Sequence, residues 1–120
     1  MAESPPLSGG ELNAALTREV VRIHTANVGR GPNKSFSFHN GNVAVTILYG
    51  VFTKAEQSLA MNEHGDAVLA IRQLFQRTMA AELKACVEEL TARKVVAFMS
   101  DNHLEPDMAV EVFILDEPLS

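Results

Sequence analysis

The chain has 120 residues, 47% of them hydrophobic and 21% charged, with a formal net charge of −5 and one cysteine. That is enough apolar material for one core and too little chain for a second domain; Cys86 has no partner for an intrachain disulfide. No stretch approaches the ~20 apolar residues of a membrane span, and the acidic balance disfavours binding nucleic acid through its phosphates.

Residues 1–10 (MAESPPLSGG) combine Pro, Ser and Gly and predict a flexible tail with no secretory-leader pattern. With the lone cysteine, this leads us to expect a cytoplasmic protein. From residue 11 to about 28, Leu12, Leu16, Val20 and Ile23 recur at spacings of four, four and three, which puts them on one stripe of a helix. Gly29 stops that helix and Pro32 prevents its resumption. Basic residues gather nearby: Arg18, Arg22, Arg30 and Lys34 are opposed only by Glu19, although residues 61–120 carry eleven acidic against five basic side chains.

Residues 34–39 alternate, with Phe36 and Phe38 facing one way and Ser35 and Ser37 the other. Asn40-Gly41 is a strong hairpin signal, and residues 43–51 return as the partner strand, with Val43, Val45, Ile47 and Tyr49 on one face. Thr53-Lys54-Ala55-Glu56 is a capping box that opens a short helix to about Met61. After a polar break, Asp66 caps a second helix running to about Thr91. Its expected apolar band is Val68, Ile71, Phe75, Met79, Leu83, Cys86 and Leu90, with Arg72 and Glu82 within or beside it. Residues 95–100 form a third strand, 101–107 a polar turn, and 108–115 a fourth strand with Val110, Val112 and Ile114 on one side. Residues 117–120 are a short C-terminal tail. The fold class is therefore α+β in the order α-β-β-α-α-β-β. Its two hairpins join as a four-stranded antiparallel sheet with helices on one face, a single domain over residues 11–116.

Several strings occur in a familiar order: Arg18-Glu19-Val20-Val21, Val28-Gly29-Arg30-Gly31-Pro32, residues 48–59, Val87-Glu88-Glu89-Leu90-Thr91, Lys94-Val95-Val96, Ser100-Asp101-Asn102-His103, Pro106-Asp107 and Glu111-Val112-Phe113. Together they resemble the MpsC-like family of small bacterial domains, over about residues 11–116. The resemblance implies a cytoplasmic accessory to membrane transport of sodium or inorganic carbon, with transporter subunits as peripheral partners, and it brings no catalytic residues with it. The chain departs at Ala92, where the pattern calls for glycine.

Two polar loops are candidate sites. Ser100, Asp101, His103 and Asp107 offer two carboxylates and an imidazole; Asp101 and His103, two apart, share a face if extended, and they are the candidate metal ligands. The competing reading is a hairpin turn whose polar side chains bond their own backbone. Arg30, Gly31 and Lys34 are anion candidates, the competing reading being a helix stop and a linker. Glu82 is either a buried functional carboxylate or a residue at the band's edge. Cys86 and the methionines Met61, Met79, Met99 and Met108 read as core, and His24 and His64 as surface or helix-end residues. The sheet leaves edges unmet, and Phe36, Phe38 and Phe113 offer more area than two helices bury, which points to a homodimer, against a monomer whose edges Lys34 and Glu111 shield. The first functional reading is a non-enzymatic accessory or regulatory domain acting through protein contacts, with anion binding as an added element. The alternative is a small metal- or ligand-dependent enzyme using residues 101–107 with Arg30. No cofactor is indicated.

Overall fold

A computed structural model describes residues 7–119. The elements follow the expected order: α1 (Gly9–Val28), β1 (Lys34–Asn40), β2 (Val43–Tyr49), α2 (Lys54–Met61), α3 (Gly65–Thr91), β3 (Val95–His103) and β4 (Met108–Leu115). The first six residues of the expected N-terminal tail, and Ser120, lie outside the described residues. The four strands form one antiparallel sheet in the order β1-β2-β4-β3.

Local chemistry explains most boundaries. Gly29 takes the left-handed conformation, φ 87°, that ends α1, and its N–H donates to Thr25 O. The Thr53 hydroxyl accepts from Glu56 N–H while the Glu56 carboxylate accepts from Thr53 N–H, so the capping box is complete. The first hairpin turns on Gly41, φ 59°, one residue beyond its Asn40 partner.

Several boundaries differ from expectation, and β2 ends at Tyr49 rather than at residue 51. Helix α1 starts at Gly9, inside the expected tail. His64, not Asp66, holds the N-cap position of α3. Strand β3 runs on through Asp101, Asn102 and His103, because these residues continue the antiparallel register with Val110, Ala109 and Met108.

The helices cover one face of the sheet. The core joins Leu12, Leu16, Val20 and Ile23 of α1 and Val68, Met79, Leu83 and Val87 of α3 to Ala44, Leu48, Ala109, Phe113 and Leu115 of the sheet. Strand side chains alternate in direction, so the residues between these sheet positions point outward. The sets Val43, Val45, Ile47, Tyr49 and Val110, Val112, Ile114 belong to that outer face. Phe113, expected to add to uncovered surface, is fully buried; Glu111, expected to shield an edge, lies on a central strand at 2% exposure. On α3 the buried stripe is narrower than expected: Ile71 is exposed, Phe75, Cys86 and Leu90 are half-buried, and Arg72 takes the interior place. Of the four methionines read as core, only Met79 is buried; Met61 and Met99 are exposed and Met108 is half-buried.

Candidate functional site

The connections at one end of the sheet lie together. Asn33 N–H donates to Tyr49 O, Gly50 N–H donates to Asp107 O, and the Asp107 carboxylate accepts from Val51 N–H (3.0 Å) and Phe52 N–H (3.1 Å). Both oxygens of Asp107 therefore tie the β3–β4 turn to the β2–α2 connection. Gly50 has φ 68°, and a Cβ there would run into the Asn33 side chain, so only glycine fits. A cleft of about 340 Å³ opens here, lined by Asn33, Gly50, Gln57, Leu104, Glu105 and Asp107 among others.

The sequence candidates distribute around this end. Arg30 Nη2 donates to Asn33 Oδ1 at 3.0 Å, while its buried Nε has no partner. Gly31 packs at the Thr25 hydroxyl. Lys34 begins β1, its Nζ 5.7 Å from the Tyr49 ring centre. Asp101 and His103 share the outer face of β3, as alternation requires. The Asp101 carboxylate accepts from Asn102 N–H, and His103 Nδ1 lies 2.9 Å from Pro106 O. Lys34 and His103 occupy one register row but stand on opposite edge strands, with β2 and β4 between them. Ser100 points the other way, beneath α3. Among the described residues no three His, Cys, Asp or Glu side chains group as metal ligands. Glu82 is exposed, and burial raises the Cys86 thiol pKa, as suits a packed side chain.

Sequence reasoning passed over two buried polar systems. In the first, Arg72 is 2% exposed. It donates twice to Glu56, once to Val51 O at 2.7 Å, and lies 3.1 Å from His24 Nε2. His24, expected at the surface, is buried. Burial and then the Arg72 charge hold its pKa down at about 4, so the imidazole is neutral. Burial alone would raise Glu56, but the hydrogen bonds from Arg72 and Thr53 outweigh it and hold the carboxyl below its ordinary range. The signal was available: Arg72 stands four residues after Val68, on the core stripe.

The second is a polar row under the helices. Register places Ser37, Thr46, Glu111 and Ser100 side by side across all four strands. The Thr17 hydroxyl donates to Ser37 Oγ, and the Ser37 and Thr46 hydroxyls are 2.7 Å apart. Burial raises the Glu111 pKa to about 7, with Ser100 acting in the opposite direction, and Glu111 Oε2 is unpartnered.

The outer face is the largest chemical feature. Its rows are Lys34–Tyr49–Met108–His103, Phe36–Ile47–Val110–Asp101, Phe38–Val45–Val112–Met99 and Asn40–Val43–Ile114–Ala97. The central strands contribute apolar residues and Tyr49, and the other polar ones, Lys34, Asn40, Asp101 and His103, all sit on edge strands. Phe36 and Phe38 stack with ring centres 6.3 Å apart, and Phe38 remains 45% and Met99 54% exposed. A monomer rarely leaves so continuous an apolar patch in water. A smaller one on the helices exposes Met61, Ile71 and Leu74. No helix among the described residues is long and apolar enough to cross a membrane.

Comparison with known proteins gives the family. Residues 8–117 match a family model described as "Na+-translocating membrane potential-generating system (MpsC)". The "Uncharacterized protein YrhF" of Bacillus subtilis (strain 168) is 33% identical over 93 residues, 76% of each chain. No solved structure matches significantly.

Proposed function

The chain belongs to the MpsC family, and on that premise we propose that it is a non-catalytic accessory domain of a membrane ion-translocating system, acting from the cytoplasm through protein contacts. One observation carries this reading: apolar surface lies uncovered while Asp107 and His103 of the polar turn are engaged within the fold. Asp107 is spent on backbone N–H groups and His103 Nδ1 faces Pro106 O; among the described residues no helix packs on the outer sheet face. The family description supplies the membrane system. The test places a photo-cross-linker at the exposed Met61, away from the sheet face. An adduct with a polytopic membrane protein is expected, and cells lacking the chain should lose part of their sodium-dependent membrane potential. An unchanged potential with no membrane adduct overturns the reading.

A small anion at the Arg30–Lys34 loop is a second element, favoured by the buried, unpartnered Nε donor of Arg30. Titrating phosphate and bicarbonate against amide NMR shifts checks it. Shifts confined to residues 29–34 support a site, and an unmoved loop removes it.

A further inference from the structure

We infer that a second copy of this chain covers the outer face of the sheet, packed face to face about a two-fold axis that runs along the strands. The inference rests on the reading that the uncovered apolar surface is for protein contact, and names the partner of that surface.

Size is the first argument. Four strands ~4.8 Å apart and seven residues long at ~3.3 Å each give a face of roughly 19 by 23 Å. That projected area, roughly 440 Å² before the relief of the side chains is counted, is a little over half of the roughly 800 Å² that each partner of a standard interface buries, the scale of a small homodimer contact. The layout is the second argument. The centre is apolar and uncharged, and Lys34, Asp101, His103 and Asn40 form a polar rim on the edges, as in protein interfaces generally. A lipid surface would favour several cations around the rim; this rim has one lysine and one aspartate.

Charge selects the axis. A two-fold along the strands lays β1 of one protomer over β3 of the other and keeps each row over itself. Lys34 then stands opposite the partner's His103 and one row from the partner's Asp101, and the symmetry makes two such pairs. The central strands meet as β2 over β4, with Val45 facing the partner's Val112. A two-fold across the strands would lay every strand on its own copy: Asp101 would be pressed on the partner's Met99, and Lys34 on the partner's Asn40. That arrangement strips water from a carboxylate and offers no counter-charge. Sheets packed in the first way sit ~10 Å apart at about −30°, a spacing that lysine and aspartate side chains can bridge.

The experiment is sedimentation velocity on the full chain, which should give a species of twice 13.1 kDa. Phe38→Glu introduces a charge that the exposed site tolerates in a monomer. It should weaken association about 100-fold, as the loss of a packed aromatic anchor does. Circular dichroism checks its fold, and Met99→Lys replaces it should it fail to fold. Lys34→Glu and Asp101→Lys should each weaken the dimer and the double exchange restore it. A chain that stays monomeric at 100-fold the working concentration overturns the proposal, as does a dimer indifferent to Phe38→Glu. A double exchange without recovery overturns the axis. Failure here is separable from failure of the accessory reading: a monomer that still yields the membrane adduct at Met61 loses only the dimer, and a dimer without that adduct loses only the membrane link.

Discussion

Arg72 Nη2 donates to Glu56 Oε1 at 2.6 Å and Arg72 Nε to Glu56 Oε2 at 2.7 Å, a two-pronged pair in the interior of the domain. It fastens α3 to the first turn of α2, and the third bond, to Val51 O, adds the connection leaving β2. The guanidinium also lies 5.2 Å from the Phe52 ring centre. One side chain of α3 thus holds the β2–α2 connection and lies against His24 of α1.

Removing Arg72 should therefore destabilise strongly. Arg72→Met leaves Glu56 buried without its counter-charge, and unfolding stability in urea should fall by about 3–5 kcal/mol. Adding Glu56→Gln to Arg72→Met should recover a large part, because the stranded charge is then gone. If the two losses simply add, the pair is not acting as a unit.

Asp107 should behave as a structural clamp. Asp107→Ala frees two backbone N–H groups and should cost about 3 kcal/mol, with faster amide exchange at Val51 and Phe52. Asp101→Asn, on an exposed site, should stay within about 0.5 kcal/mol in the monomer.

The two shifted interior groups oppose each other in pH. His24, held at about 4, stays neutral in the folded chain while the unfolded chain takes up a proton, so its contribution is lost as pH falls from 6.5 toward 4. Glu111, raised to about 7, keeps its proton in the folded chain, so its contribution is lost as pH rises from 4.5 toward 7. Each window is worth about 3 kcal/mol, and they overlap with opposite sign. Stability should thus be nearly flat between pH 4.5 and 6.5. Glu111→Gln should unmask a rise across that interval, read by urea midpoints at several pH values; a profile unchanged by the substitution would remove Glu111 from the account.

Ala92 ends α3 at φ 55°, in the left-handed region, with its N–H donating to Glu88 O. A methyl side chain there costs roughly 1 kcal/mol relative to glycine. Ala92→Gly should raise stability by about that amount, measured as an upward shift in melting temperature.

Much of the fold could be read directly. Hairpin turn, capping box, helix stop and strand alternation are local effects, each set by a few neighbouring side chains, and they place all seven elements in order. The same alternation put Asp101 and His103 on one face. Local chemistry failed where a side chain's partner comes from elsewhere in the chain. His24 reads as polar and exposed until Arg72 lies beside it, and Asp107 reads as a free ligand until the backbone of Val51 and Phe52 arrives.

By itself, then, the sequence determined the element order, the α+β class and an apolar set on one face of each central strand. Only the tertiary structure decided which face meets the helices. A strand presents two faces with identical periodicity, and an apolar pattern on both carries no label for inside. The helices cover Ala44, Leu48, Ala109 and Phe113 and leave Val45, Ile47, Val110 and Val112 outside. That choice comes from how α1 and α3 cross the sheet, which is a property of packing.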